Sequence, residues 1–198
     1  PLLDQLERLD RVTVVRHRRR LSHAAGMRAA LRALRTAERA TAGAPTNVLL
    51  FCDTDVIFRN PDTLRDLADV FRTTDAAFAG ELRRGLYPHP EAQASFLAVR
   101  RDWAERRRTW VDHGAPAYWL QRSIWAQGGV GHDFPSNRGG HILHRGRAGV
   151  AAAQRHFRFH PYASASYNQP HFMGVPGGER IWREVEERHA GLLDGDQR

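Results

Sequence analysis

Asn47-Val48-Leu49-Leu50-Phe51-Cys52-Asp53-Thr54-Asp55-Val56-Ile57-Phe58 carries the reading of this chain: an apolar run that ends in two carboxylates one residue apart. Five apolar residues follow Asn47, and such a run predicts a strand buried on both faces. In an extended chain residues i and i+2 point to one side, so Asp53 and Asp55 are expected to aim together. Two carboxylates held ~6–7 Å apart along a strand repel each other and are costly to desolvate without a cation or donors. A hard divalent metal carrying phosphate oxygens answers that cost. Two solvated loop carboxylates, or a turn cap at Asp55, are plainer alternatives that the residues leave open.

Downstream, Asn60 reads as an N-cap, Pro61 suits a first helical position and Asp62 favours the positive helix end. Leu64, Leu67, Ala68 and Phe71 recur at helical spacing, which predicts a helix over 60–71. The unit is strand, carboxylate loop, helix. In open α/β sheets ligands lie outside the carboxyl ends of the strands, where this loop falls.

Upstream, Leu2, Leu3, Leu6 and Leu9 predict an amphipathic helix, Val12 to Val15 a short strand, and Ser22 the cap of a helix through Met27, Leu31 and Leu34. Thr41 to Pro45 reads as the turn into the central strand. Further strands are expected at Ala76 to Ala79 and Ala94 to Val99, followed by a Trp- and Arg-rich helix and a helix over 117–127. From Gly128 onward Gly, Pro and His predict long loops over a site, with a final helix at Glu179 to His189. The alternation implies an α/β fold with a mostly parallel central sheet flanked by helices.

With 198 residues, 41 % of them hydrophobic, the chain suits one domain with a sizeable core. No apolar run approaches the ~20 residues of a membrane span. The single cysteine, Cys52, cannot form an internal disulfide; it reads as a small buried hydrophobe, consistent with a reducing, cytoplasmic compartment.

The formal charge of +8 is carried by arginine alone: all 30 basic residues are Arg. Alongside abundant alanine this resembles the codon bias of a GC-rich genome, and runs such as Arg16 to Arg20 and Arg106 to Arg108 read as solvated faces. No nucleic-acid module signature is present, so no nucleic-acid partner is expected. A non-catalytic basic module binding nucleic acid or an anionic polymer stands as the alternative from another functional class. Absence of lysine closes Walker A, pyridoxal-phosphate and kinase chemistries. It also weakens a metal-dependent phosphohydrolase of the haloacid-dehalogenase type, whose Asp-x-Asp strand needs a downstream Lys. No Gly-x-Ser-x-Gly elbow supports a serine hydrolase.

A strand, a helix opening with Ser22-His23-Ala24-Ala25-Gly26-Met27, a strand ending in Cys52-Asp53-Thr54-Asp55 and a late His-rich segment together resemble the GT-A fold of nucleotide-sugar glycosyltransferases, over roughly Val12 to His171. The resemblance implies transfer of a sugar from a nucleoside-diphosphate sugar donor to a hydroxyl or amine acceptor. It implies a Mn²⁺ or Mg²⁺ cofactor, with Asp53 near the ribose and metal, Asp55 as direct ligand and a late His completing the shell. This family normally begins with a strand whose loop grips the base. That element is missing here, and an upstream strand is expected.

His144, before a glycine-rich turn, is the favoured third ligand, ahead of His171 and then His141. His171-Phe172-Met173-Gly174 resembles the His-x-x-Gly segment of some retaining members, without their following Lys-Pro-Trp. Arg145 and Arg147 are candidates for the diphosphate. Arg20 and His23, at the opening of the first long helix, are candidates for the nucleotide. On the sugar side Glu81 follows a strand end facing the cleft. Asp112 resembles in position the acidic residue near the acceptor, which an inverting enzyme uses as base. Trp119 and Trp125 can stack on a sugar or pack in the core.

Overall fold

Every second residue of the central apolar run goes to a different core, and that division organises the molecule. Leu49 and Phe51 join one hydrophobic cluster, while Val48 and Leu50 join another. The structure, a computed structural model, describes residues 2–8, 12–18, 21–41, 47–83, 89–106, 117–146 and 172–193. Its elements are α1 (Leu2–Glu7), α2 (His23–Thr41), β1 (Val48–Cys52), β2 (Val56–Phe58), α3 (Thr63–Thr73), β3 (Ala76–Gly80), β4 (Leu82–Arg83) and β5 (Glu91–Ala92). There follow β6 (Phe96–Arg100), α4 (Arg101–Arg106), α5 (Tyr118–Ala126), β7 (Val130–Asp133), β8 (Ile142–His144), a 3₁₀ turn (Phe172–Gly174) and α6 (Gly178–Leu193).

β1, β6, β3 and β7 form a four-stranded sheet in that order. One face packs on α2, α4 and α5 through Met27, Leu97, Val99, Ala104, Leu120 and Ile124. Its other face packs on α3 and on the two-stranded sheet β2–β8 through Leu67, Phe71, Ala98 and Ile142. This is a mixed α/β layer structure, but the sheet is not mostly parallel as the sequence predicted. β6 runs antiparallel to both β1 and β3, and only β3–β7 is parallel. A strand sandwiched between two layers is apolar on both faces whichever way its neighbours run, so the unbroken run carried no information on direction.

Local chemistry accounts for the boundaries. Ser22 caps α2, its Oγ accepting the Ala25 N–H at 3.3 Å. α3 starts later than expected, because Asn60 first closes a turn: its Oδ1 accepts the Asp62 N–H and its carbonyl accepts the Thr63 N–H and hydroxyl. The buried face of α3 is Thr63, Leu67 and Phe71, whereas Leu64 and Ala68 face outward. Val12 to Val15 does not form the expected strand; both end valines are exposed and no described strand pairs with them.

Three strands lie where loops were expected, β2 in the carboxylate loop and β7 and β8 in the Gly-, Pro- and His-rich part. β7 was hidden because Gly131 and His132 have poor strand propensity, yet Gly131 is required there: a Cβ would sit 2.3 Å from the Phe78 ring. Cys52, expected in the core, is the exposed last residue of β1. Its sulfur is still half-enclosed, and burial followed by the charges of Asp53 and Asp55 pushes the thiol up to about 11. Among the described residues no helix is long and apolar enough to cross a membrane.

Candidate functional site

β1 stops at Cys52, and the chain turns through Asp53-Thr54-Asp55 before resuming as β2. The carboxylates therefore sit on a turn, not along one continuous strand as the sequence suggested. Asp53 is pinned to the sheet by its backbone N–H, which donates to the Ser95 carbonyl at 3.0 Å. Asp55 is pinned on the other side, its carbonyl accepting the Arg145 N–H at 3.0 Å.

β2 pairs antiparallel with β8, and the register sets Val56 opposite His144. That pairing carries the histidine across some 90 residues of sequence to the aspartates. His144 Nε2 lies 3.3 Å from Asp55 Oδ1 and 3.8 Å from Asp53 Oδ2. One donor atom from each of the three residues falls within 4.8 Å of the others, the one such group of His, Cys, Asp and Glu among the described residues. Two carboxylate oxygens and one imidazole nitrogen at that spacing suit a divalent ion with bonds of about 2.0–2.2 Å, after small closure of the side chains. Three protein ligands leave positions for substrate oxygens.

Electrostatics favour the ionised form of Asp55. Burial alone pushes the Asp55 carboxyl up, but the hydrogen bond and charge of His144, with the N–H groups of Asp55 and Gly146, outweigh it and hold the group below 3.8. His144 is 7 % exposed, and its Nδ1 is enclosed without a hydrogen-bond partner. Its placement comes from the backbone: the His144 N–H donates to Asn137 Oδ1 at 3.0 Å. Asn137 is buried and in turn donates its own N–H to Glu81 Oε2 at 2.7 Å, as does Arg138 at 3.0 Å.

Glu81 thus stands at the end of β3, where the sequence placed it, with one oxygen given to the turn that orders His144. It is not part of the three-residue cluster. Asn137 was missed by sequence reasoning. The signal was Ser136-Asn137 ahead of two glycines, a turn signature with no visible link to His144. Arg145 follows the cluster, its guanidinium 5.6 Å above the Trp182 ring on α6. His141 is turned elsewhere: its carbonyl holds Arg59, Asn60 and Thr63, and its Nδ1 lies 4.0 Å from Asp66.

His23 opens α2. Arg20, Asp112, Arg147 and His171 lie outside the described residues. Trp119 is 42 % exposed with Arg122 over its ring, while Trp125 packs on the Phe78 edge and donates its Nε1–H to the Pro90 carbonyl. Trp125 is therefore a core residue. The chain matches no protein-family model, no curated protein and no solved structure.

Proposed function

We propose that this chain is a metal-dependent glycosyltransferase of GT-A-like fold, moving a sugar from a nucleoside-diphosphate sugar to a hydroxyl or amine acceptor. The observation that carries the reading is the meeting of Asp53, Asp55 and His144 at the carboxyl end of β1. An imidazole among the ligands favours Mn²⁺ over Mg²⁺, which prefers oxygen and retained water. When bound, the ion supplies neutralisation of charge developing on the leaving diphosphate.

The protein's own share is positioning. Asp53 and Asp55 are held by backbone bonds to two separate elements, so their oxygens converge without a large entropy loss on binding. Asn137 and Glu81 fix the strand that presents His144. Arg145, one residue beyond, brings a permanent positive charge to the neighbourhood in which phosphate oxygens would lie.

The test is a thermal-shift panel of UDP-, GDP-, ADP- and dTDP-sugars with and without Mn²⁺, because a ligand of the native state raises the melting temperature by mass action. One base family is expected to give a Mn²⁺-dependent rise that Asp53→Ala abolishes. Wild-type donor turnover and metal affinity in Asp53→Ala and Asp55→Asn proteins would refute the assignment.

A further inference from the structure

Arginine is spread through this chain, but among the described helices α2 alone stacks it without acidic company. Arg28, Arg32, Arg35 and Arg39 follow one another at intervals of four, three and four residues. At about 100° per residue they fall within an arc of about 60°, on a line about 16 Å long. Met27, Leu31 and Leu34 turn to the core on one flank of that line, and Ala25, Ala29 and Ala33 make the other. Arg28 is half-buried, whereas Arg32, Arg35 and Arg39 are exposed.

Other helices balance such charges. Arg65 and Arg72 of α3 pair with Asp62 and Asp69, and Arg180 and Arg183 of α6 with Glu184 and Glu179, each about one turn away. On α2 the residues one turn along the stripe are further arginines, and like charges at that spacing destabilise a helix. The one acid of α2, Glu38, is taken by Arg101, and Glu105 of α4 answers Arg35. Neither the Arg32 nor the Arg39 guanidinium has a partner among the described residues. An excess of arginine codons explains neither the alignment nor the missing acids.

The shape of the stripe selects its partner. Guanidinium groups on one straight line reach a flat surface together. A helix lying in a nucleic-acid groove meets phosphates on both flanks and carries polar side chains for the base edges; here one flank is core and the other alanine. A single strand is held by aromatic platforms, and α2 contains no Phe, Tyr or Trp. A plane of lipid headgroups asks for neither, and guanidinium forks match its phosphate oxygens. Leu21, exposed just before the Ser22 cap, adds an apolar side chain at the same end.

We propose that the face of α2 bearing Arg28, Arg32, Arg35 and Arg39 docks the protein on an anionic lipid surface, with its guanidinium groups against headgroup phosphates. Attachment is peripheral, along the helix. None of these residues belongs to the group formed by Asp53, Asp55 and His144, and the inference stands or falls apart from the function proposed above.

Co-sedimentation of the full chain with vesicles of phosphatidylcholine, and of phosphatidylcholine mixed with phosphatidylglycerol, tests it in wild type and two double variants. Arg32→Gln with Arg39→Gln strips the stripe; Arg65→Gln with Arg180→Gln removes the same charge from α3 and α6. Wild type is expected to bind only the anionic vesicles and to be released by salt. The stripe variant should bind them about tenfold or more weakly, with its melting temperature kept or raised because repelling neighbours are relieved. The control variant should bind as wild type does, and so should Arg32→Lys with Arg39→Lys, which keeps the charge. No binding of wild type to anionic vesicles overturns the proposal. Equal weakening in the stripe and control variants overturns it too, since net charge and not the stripe would then govern binding. Tighter binding to a duplex or single-stranded oligonucleotide than to vesicles at equal phosphate concentration, lost in the stripe variant, gives the stripe to nucleic acid instead.

Discussion

Two acidic clusters bridge separate elements of this fold, and they settle their charge in opposite ways. On the α2–α4 side, Arg101 Nη1 grips both oxygens of Glu38 at 2.7 and 2.6 Å while its Nε holds Glu105, which also accepts from Arg35. Two carboxylates meet two guanidinium groups, and the circuit is closed. At the end of β1, Asp53 and Asp55 converge on one imidazole. The first cluster is a tie between helices; in the second two carboxylates share one imidazole, with donor atoms spaced as a cation would need them.

The comparison makes the same chemical change mean different things. Arg101→Met leaves Glu38 and Glu105 facing each other, and is expected to cost about 1–2 kcal/mol, less than a fully buried pair because water still reaches the side chains. Urea unfolding checks this, and Mn²⁺ affinity should stay at the wild-type value. Asn137→Ala should weaken Mn²⁺ binding about tenfold, the usual cost of removing a group that orients a ligand, with a stability loss of about 1 kcal/mol for the missing hydrogen bond. Loss of stability without loss of Mn²⁺ affinity would make Asn137 a structural residue only. Asp53→Asn, which removes one of the two carboxylates that share His144, should change metal-free stability by less than about 0.5 kcal/mol. A cost as large as that of Arg101→Met would mean that Asp53, too, belongs to a closed structural network.

That Asp53 and Asp55 stand close together was legible, because two carboxylates one residue apart after an apolar run have few explanations, but the turn that carries them was not, since the run reads as one continuous strand. The element borders at Ser22 and the final helix could be read as well, since caps and helical spacing are local. Strand direction was not legible, because burial on both faces is common to parallel and antiparallel strands in a covered sheet. β8 was hidden for a related reason: Ile142, Leu143 and His144 make too short a run to carry a periodicity, and only pairing with β2 defines them as a strand. The role of Asn137 depends on a contact that no spacing reveals.

The smallest effects lie in pH dependence, where two carboxyls move in opposite directions. The Asp55 carboxyl is held below 3.8 in the folded chain, so its contribution is present above that value and is lost as pH falls through the folded value. Burial raises Glu91 above 4.5, so the folded state is favoured below 4.5 and that contribution is lost as pH rises through the folded value. Melting curves between about pH 3 and 7 should show Asp55→Asn flattening the acid limb, and Glu91→Gln raising stability at neutral pH while matching wild type in acid. The reverse assignment would mean that the environments of the two groups have been exchanged.

Calorimetric titration of Mn²⁺ into the purified chain, run beside His144→Ala, bears most directly on the central claim that the turn after β1 and the end of β8 together seat a divalent ion. One ion per chain in wild type, weakened at least about 100-fold in His144→Ala with the melting temperature preserved, is the predicted result. Equal Mn²⁺ affinity in the two proteins, or no binding to either, would contradict it.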